Sequence, residues 1–513
     1  MRKLKDEVWF VAAEMAPLVK VGGLGDVVGS LPKELIKSGM GVKVVIPFYK
    51  SLRFSDFIQF EESLPPGKVM FGEIPFDFGI RKARTKSGIP LILVEQDHFF
   101  GRDDIYGPHG GASAYKDNLW RYSLLAHASV YAMKMLGAPR IVHTHDWSGG
   151  IVPAVIRQVF GDELESQGRP GIILTIHNLG YQGVYPIDDF YDIGIDYRFN
   201  SSSAYEHFGT FNALKGGMLL SDAVTTVSPT YAEEITGQDM GFGLDGELRR
   251  IKDSGRLYGI LNGIDEEYWD PSTDKFLPER LKGKPKVKGK ETYTLRNYGK
   301  WKEFKEKNKA ALFSEIGMER LNNGQGSRFP LLGVVSRLTE EKGIDLFIDS
   351  LFNWQDFPFY VIILGSGKDV MEKKAIYLSN RFKDRIYVKI NSYDEAFAHK
   401  IYAASDVFVM PSRTEPCGLS QMISMRYGGV VIAGNTGGLH DTINDIIADE
   451  EKANGILIKH MDINGILWAM QEINKLFHSD VHWKRLVINS VNKDFDWSLS
   501  ALKYKELYDK IKS

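Results

Sequence analysis

One pattern recurs along almost the whole of this chain: a short run of apolar, mostly β-branched residues, then a glycine-rich turn, then a segment with helical spacing. The runs lie at residues 8–13, 42–47, 91–95, 141–145, 172–177 and 223–228, and again at 331–336, 360–364, 386–390, 407–410 and 430–434. Continuous apolar strands that alternate with helices are typical of parallel sheets covered on both faces. The pattern predicts an α/β fold built from doubly wound sheets.

The pattern is interrupted once, which divides the chain in two. Residues 278–309 carry lysine at every second position from 282 to 290, with glycine and proline among them, and we interpret them as a solvated connector rather than an anion-binding patch. At 513 residues the chain also exceeds what one hydrophobic core normally supports. We therefore place a domain boundary near Ile264. Ligands of such sheets bind beyond the carboxyl ends of the strands, so two domains facing a cleft would bring both sets of strand ends to one crevice.

Charge and cysteine content exclude several classes of partner. The chain has 64 basic and 66 acidic side chains, so it lacks the basic excess of a nucleic-acid-binding protein. Cys417 is the only cysteine, which excludes an intramolecular disulfide and a cysteine-based metal cluster. No apolar run approaches the ~20 residues of a membrane span. We expect a cytoplasmic protein with neither nucleic acid nor membrane as a partner.

The first candidate site is a glycine-rich loop that follows the first predicted strand and opens a helix. It runs from Lys20 through Gly22 and Gly23 to Asp26. Glycines at such a turn let backbone N–H groups approach a phosphate at the helix N-terminus, although many α/β proteins contain a tight turn of this kind without a ligand. The loop is not a dinucleotide-binding fingerprint, because Val28 stands where G-x-G-x-x-G requires glycine.

Histidines end two of the predicted strands. Alternation puts His143 and His145 on one face, but no third ligand follows at a typical spacing, so we predict no metal site. His177 ends the next strand, and residues 179–183 after it have turn chemistry. We therefore expect the His177 imidazole to be displayed on a loop, with a purely structural histidine as the alternative.

Two cations and a carboxylate mark the strand ends of the second half. Arg337 and Lys342 are five residues apart across a strand-to-helix turn, so they can reach one diphosphate or can simply face solvent. Glu415 lies between two prolines on the loop after another strand, where it suits sugar hydroxyls or caps the following helix. Residues 436–439 form a further glycine turn that offers backbone donors to phosphate. No acidic pair suited to Mg²⁺ is evident.

These motifs, in this order, resemble those of the bacterial glycogen synthase and plant starch synthase family, over nearly the whole chain. In the first half the resemblance rests on residues 14–17, 20–27, 177–178, 181–183, 214–217, 225–235, 243–246 and 261–265. In the second half it rests on residues 336–343, 393–395, 415–419 and 436–442. The family consists of retaining glycosyltransferases of the GT-B fold, with two Rossmann-like doubly wound domains facing a cleft. The resemblance implies an acceptor domain of residues 1–263, joined by the final helix 491–513, and a donor domain of residues 264–490.

The resemblance also implies a role for each matching position. The implied catalytic residues are His177 beside the transferring glucose, Arg337 and Lys342 on the diphosphate, and Glu415 on glucose hydroxyls. The implied substrate-binding residues are Lys20, Gly22, Gly23, Asp26, Asp146, Asn178, Asn262, Tyr393, Cys417, Gly418, Leu419, Thr436, Gly437 and Gly438. Among these, Asp26 and Asp146 would bind sugars, Tyr393 would pack on the base, and the glycines of both turns would contact phosphate.

The implied reaction moves glucose from ADP-glucose to the non-reducing end of glycogen or a malto-oligosaccharide, with retention of configuration and without a cofactor or metal. A UDP-glucose-dependent GT-B transferase and a catalytically retired glucan-binding protein are the alternatives. A nicotinamide oxidoreductase is disfavoured by the missing fingerprint. The chain departs from the family at Val21, Ser148 and Glu341, where threonine, histidine and glutamine are usual, and Ile423 breaks the E-x7-E pattern of the wider superfamily. These departures bear on the donor base and the acceptor.

Overall fold

The computed structural model describes residues 4–108, 114–162, 169–283, 293–318, 329–353, 358–391 and 394–512. The chain forms two compact units, Met1–Gly263 with Trp497–Ser513, and Ile264–Asp496. Each has the predicted α/β architecture. The last helix begins at Trp497 rather than at residue 491, which still belongs to the helix before it.

The first unit is built on a large sheet. Its strands are β1 Lys5–Val11, β2 Gly41–Pro47, β3 Ile58–Phe71, β4 Ile74–Thr85, β5 Pro90–Glu95, β6 Pro139–His145, β7 Gly171–Ile176, β8 Val184–Pro186, β9 Glu206–His207, β10 Thr210–Asn212, β11 Ala223–Thr226 and β12 Leu257–Gly259. Within the described residues, nine of them form one sheet in the order β12-β11-β7-β6-β1-β2-β5-β4-β3. The strands from β12 to β5 are parallel, and β4 and β3 extend the sheet as an antiparallel hairpin. β8, β10 and β9 form a small separate antiparallel sheet.

Helices cover this sheet and complete its core. They are Gly23–Lys37, Asp97–Phe100, Asn118–Leu136, Val152–Phe160, Ala213–Leu220, Pro229–Glu234, Asp245–Asp253 and Trp497–Lys512. The C-terminal helix Trp497–Lys512 contributes Tyr504 and Tyr508, both fully buried, to the same hydrophobic core as β1. In the part of the chain that the structure describes, no helix combines the length and apolarity needed to cross a membrane.

The second unit is built on a fully parallel sheet. Its strands are β13 Leu331–Val335, β14 Tyr360–Gly365, β15 Ile386–Ile390, β16 Val407–Met410, β17 Val430–Gly434 and β18 Gly455–Ile458, in the order β15-β14-β13-β16-β17-β18. Its helices are Tyr298–Glu315, Ile344–Phe352, Asp369–Arg381, Glu395–Ala404, Ser420–Arg426, Gly437–Thr442, Ile463–Phe477 and Asp480–Val491.

Each sheet has a point at which the strand order reverses. In the first unit this point lies between β1 and β6, and in the second it lies between β13 and β16. Open α/β sheets bind ligands outside the carboxyl ends of the strands at such a point. A ligand site is therefore expected in the segments that follow these four strands.

Candidate active site

In the first unit, the buried side chain of Glu14 holds the loop after β1 in place. This carboxylate is 3% exposed, and its Oε2 accepts hydrogen bonds from the backbone N–H groups of Val21 (2.6 Å) and Gly22 (2.9 Å). Its Oε1 accepts a hydrogen bond from the Tyr106 hydroxyl at 2.8 Å. Burial raises the pKa of Glu14, and these three donors oppose the rise. This role of Glu14 was not predicted, although a carboxylate directly after an apolar run is visible in the sequence.

The glycine loop itself leaves open space beside its backbone. A Cβ on Gly22 or Gly23 would meet no heavy atom of the described neighbours within 4 Å. The two glycines stand where the helix Gly23–Lys37 begins, so the positive end of its dipole favours an anion there. The arrangement therefore suits a group that approaches the backbone closely.

Lys20 and Asp26, predicted as separate ligand contacts, are brought together. The Lys20 ammonium donates to Asp26 Oδ1 at 2.7 Å, and the lysine side chain is 43% exposed. Burial raises the pKa of the Asp26 carboxyl, while the positive charge of Lys20 opposes this. A ligand phosphate that binds Lys20 has to compete with this carboxylate.

Asp146 follows β6 and holds the backbone of the neighbouring strand end. Its Oδ1 accepts the His177 N–H at 2.7 Å, and its own N–H donates to Thr175 O at 2.9 Å. The residue has φ 51°, a conformation that side chains other than glycine seldom adopt and that costs about 1–3 kcal/mol. Burial raises the pKa of Asp146 to about 7, against the N–H groups of His177 and Asn178. The predicted contact of Asp146 with a sugar stays a prediction, and its observed contact is with backbone.

His177 is not displayed on a loop, and that expectation is wrong. The residue directly follows β7 at the carboxyl end of that strand, and only 9% of it is exposed. Its Nε2 lies 3.0 Å from Nδ1 of His145. Burial lowers the pKa of His177 to about 3, so the ring is neutral at pH 7.

Two asparagines complete the predicted residues of the first unit. Asn178 Oδ1 accepts the Gly180 N–H at 2.9 Å and so shapes the turn after His177. Asn262 is 5% exposed, and its Oδ1 has no hydrogen-bond partner within the described ranges. A buried oxygen without a partner is uncommon and fits a position that a ligand completes.

In the second unit, the turn after β13 packs against the loop after β16. Gly343 has φ 64°, and a Cβ there would lie 1.7 Å from the carbonyl oxygen of Pro411. Only glycine therefore allows the turn that carries Arg337 and Lys342 to come so close to the loop that carries Glu415.

Lys342 and Glu415 form the centre of this second cluster. The Lys342 ammonium donates to both carboxylate oxygens, at 2.9 and 2.8 Å, and Ser412 Oγ donates to Oε2 at 3.0 Å. Glu415 is 6% exposed. The alternative that Glu415 caps the next helix is wrong, because that helix begins at Ser420 with Leu419 as its N-cap.

Arg337 is also faced by a carboxylate. Its Nη2 lies 3.4 Å from Glu341 Oε2, and the Lys342 ammonium lies 3.8 Å from Glu341 Oε1. The Arg337 side chain is 55% exposed, so its guanidinium remains accessible to a ligand. Both predicted cations therefore lie on one turn, but the carboxylates of Glu341 and Glu415 already offset their charge.

The glycine turn after β17 lies against the loop of Glu415. A Cβ on Gly437, whose φ is 44°, would lie 2.1 Å from Glu415 O, and one on Gly438 would lie 2.1 Å from Cys417 O. The Gly438 N–H donates to Glu415 O at 3.1 Å. The packed loops therefore bring together the predicted residues Glu415, Cys417, Gly418, Leu419, Thr436, Gly437 and Gly438.

Two predicted features remain. Tyr393 and residues 284–292 of the lysine-rich connector lie outside the described residues. The expectation that residues 278–309 are a solvated connector is wrong at their end, because the helix Tyr298–Glu315 buries Trp301 and Phe304. Within the described ranges, no group of three or more histidine, cysteine, aspartate or glutamate side chains is placed to hold a metal ion.

Comparison with known proteins identifies the same two halves. The family model for the starch synthase catalytic domain matches residues 7–250, and the model for glycosyl transferases group 1 matches residues 319–485. The chain is 35% identical over 504 residues to the glycogen synthase of Geotalea daltonii, covering 98% of each protein. It is 35% identical over 512 residues to that of Thermodesulfovibrio yellowstonii, covering 97% of this chain and 96% of the relative.

Solved structures show the same relationship. The catalytic domain of starch synthase IV from Arabidopsis thaliana, solved with ADP and acarbose bound, superposes with a TM-score of 0.84 at 32% identity, over 99% of each chain. Sucrose-phosphate synthase from Thermosynechococcus elongatus superposes with a TM-score of 0.58 at 18% identity, over 98% of this chain and 99% of that one, and shows the fold alone.

The two Rossmann-like domains and their clusters at the points of strand-order reversal define a glycosyltransferase of the GT-B fold. The nicotinamide oxidoreductase alternative is therefore wrong. The chain belongs to the glycogen synthase and starch synthase family, as the sequence motifs predicted.

Proposed function

We propose that this protein transfers glucose from ADP-glucose to the non-reducing end of an α-1,4-glucan, with retention of configuration. The observation that carries the proposal is the cluster of Arg337, Lys342 and Glu415 beside the closely packed glycine turn at Gly437. The relative solved with ADP and acarbose, a nucleotide and an oligosaccharide analogue, supports this assignment.

The chemistry requires stabilisation of a leaving diphosphate. As the glycosidic bond to the donor breaks, negative charge grows on the phosphate and positive charge on the anomeric carbon. Arg337 and Lys342 supply fixed positive charge, and the N-terminus of the helix Gly23–Lys37 adds the positive end of its dipole, which together answer this need. Glu415 would accept hydrogen bonds from glucose hydroxyls, and neutral His177 would hydrogen-bond the transferring sugar. No described carboxylate is an obvious nucleophile for a double displacement, so we propose same-face transfer with the departing phosphate as the base.

A donor-competition assay tests the proposal. The protein is incubated with glycogen and ADP-, UDP- or GDP-glucose in the presence of EDTA, and released nucleotide and chain extension are both measured. We expect ADP release with extension through new α-linkages, read from the anomeric proton signals. A preference for UDP-glucose would select the alternative donor, and no turnover with any nucleotide-glucose, or complete dependence on Mg²⁺, would contradict the proposal.

We also propose a cytoplasmic location, because a single cysteine, Cys417, allows no intramolecular disulfide, which fits a reducing compartment.

A further inference from the structure

Three histidine rings lie against one another in the first unit. The rings of His143 and His145 are 4.4 Å apart with 29° between their planes, and Phe10 stacks on the His145 ring at 5.7 Å. His143 and His145 are fully buried, and Nδ1 of His145 lies 3.0 Å from Nε2 of His177. The reaction as described above uses only His177, so the role of His145 is unassigned.

All three rings are neutral at pH 7. Burial lowers the pKa of His177 and of His143 to about 3, and it lowers the pKa of His145 well below the usual value for histidine. A neutral imidazole has one N–H donor and one bare nitrogen that accepts. The bond between His145 and His177 therefore has one of two arrangements, with the proton on either His145 Nδ1 or His177 Nε2.

The other nitrogen of His145 distinguishes the two arrangements. His145 Nε2 is buried and has no hydrogen-bond partner among the residues that the structure describes. A buried N–H without an acceptor is rarer in proteins than an unfilled acceptor, so the proton belongs on Nδ1. His145 Nδ1 then donates to His177 Nε2.

His143 cannot exchange roles with His145 in this network. Its Nδ1 lies 2.8 Å from the Tyr508 hydroxyl and its Nε2 lies 2.6 Å from Thr175 Oγ1, so both nitrogens are occupied. Packing between His143 and Phe10 holds the plane of the His145 ring. Packing in the core, and not contact with solvent, therefore keeps the His145 Nδ1–H directed at His177.

We propose that His145 is a positioning residue that holds His177 in the tautomer protonated at Nδ1. With Nε2 occupied by His145, the Nδ1–H edge of His177 is a hydrogen-bond donor, and His177 Nδ1, unlike His145 Nε2, is not among the fully buried atoms that lack a partner. A donor at this edge suits an oxygen lone pair of a glucose hydroxyl. The hydrogen bond from His177 to glucose rests on the proposed function, whereas the tautomer of His177 does not.

The tautomer is measured directly on the full-length protein without substrate. The protein is labelled with ¹⁵N-histidine, and the two ring nitrogens of His177 are identified by comparison with a His177→Gln variant. We expect a protonated Nδ1 and an unprotonated Nε2 that do not change between pH 6 and 8. The reverse assignment would overturn the inference even if the enzyme is fully active.

Two variants of His145 then connect the tautomer with turnover. In His145→Asn the side-chain NH₂ can reach the position of Nδ1 and keep the donor, whereas His145→Phe keeps a stacking ring and removes the donor. We expect His145→Phe to lower kcat about tenfold, the equivalent of one hydrogen bond of ~1.4 kcal/mol. KM for the donor should change little, and His177 should show averaged ring-nitrogen shifts. His145→Asn should retain most of kcat and the fixed tautomer.

The outcomes separate this inference from the proposed function. If His145→Phe keeps both wild-type kcat and an Nδ1-protonated His177, His145 does not position the ring and the inference is wrong. If the wild-type protein has the expected tautomer but transfers no glucose from any donor, the proposed function fails and the tautomer assignment stands.

Discussion

At the scale of single residues, the cations of the second cluster are already paired when no ligand is bound. Lys342 donates to the buried carboxylate of Glu415, and Arg337 faces Glu341 at 3.4 Å. An incoming diphosphate must therefore share or replace these contacts. Because the pair of Arg337 and Glu341 is solvent-exposed, replacing it costs little, since exposed ion pairs are worth about 0–1 kcal/mol.

Glu341 is expected to weaken nucleotide binding. Its carboxylate lies 3.4 Å from Arg337 and 3.8 Å from Lys342, where it repels a phosphate that approaches the same cations. We predict that Glu341→Gln binds ADP about two- to fivefold more tightly, from the ~0.5–1 kcal/mol of an exposed pair. Calorimetry at low and high salt measures this. Glu340→Gln, which removes a charge paired with Lys368, is the control and should leave affinity unchanged; equal effects of both variants would contradict the prediction.

His177 and Lys342 should separate chemistry from binding. Interactions made mainly in the reacting state lower turnover more than affinity when removed. We predict that His177→Ala binds ADP nearly as well as wild type but loses at least ~100-fold in turnover, roughly 2.7 kcal/mol.

Lys342→Ala should lose both affinity and turnover, because it also leaves the buried Glu415 carboxylate without its cation. Calorimetry of ADP binding beside steady-state rates compares the two variants. Turnover of His177→Ala within about tenfold of wild type would mean that the residue is structural.

At the scale of elements, the strands that sequence predicts best are those buried on both faces. β7 is buried along its whole length, and its apolar run is visible without any partner. The hairpin β3–β4 was missed, because β3 exposes most of its residues and two register irregularities interrupt its pairing with β4. Continuous apolar runs do not occur in such a strand.

The candidate site shows the same limit. Arg337 and Lys342 are five residues apart, so the sequence alone shows that both belong to one turn. The bond between His145 and His177 joins residues 32 positions apart, and only the register of β6 against β7 brings them together. Contacts of this kind depend on which strands are neighbours, which composition and periodicity do not specify.

A buried ion pair attaches the helix Tyr298–Glu315 to the second sheet. Lys309 donates to Asp406, which also accepts the Leu331 N–H at 2.8 Å. We predict that Lys309→Ala lowers the free energy of unfolding of this unit by about 3–5 kcal/mol, because it leaves a buried carboxylate without its cation. Chemical denaturation followed by tryptophan fluorescence measures the change. Lys307→Ala, exposed on the same helix, should leave the midpoint nearly unchanged. A similar effect of both variants would mean that helix propensity, not the ion pair, is responsible.

At the scale of the whole molecule, the first unit is built from both ends of the chain. The helix Trp497–Lys512 packs into the core formed by residues before Gly263. Tyr508 hydrogen-bonds His143 at 2.8 Å within that core. The C-terminal helix is therefore part of the first domain's stability and, through His143, lies one ring away from His145.

Tyr508→Phe tests this connection. Removing the hydroxyl leaves a buried nitrogen of His143 without its partner, and we expect a loss of about 1–2 kcal/mol in the free energy of unfolding of the first unit. Leu502→Ala, whose side chain is largely exposed on the same helix, should change it by no more than about 0.5 kcal/mol. Thermal and chemical denaturation of both variants give the comparison. Equal stability of Tyr508→Phe and wild type would show that the hydroxyl contributes nothing to the fold.

This discontinuity also determines the order in which the protein can be completed during synthesis. The first and last residues of the second unit are neighbours, since the Ile264 N–H donates to Phe495 O at 2.8 Å. All residues of this unit are therefore translated before Trp497. The first unit begins earlier but cannot close its core until the ribosome has added the final helix. In order of translation the later unit is therefore the first to have all of its residues, the reverse of the usual order from the N-terminus. A ribosome that stops just short of the last helix would leave the apolar surface beneath that helix uncovered, which is the kind of surface that chaperones bind.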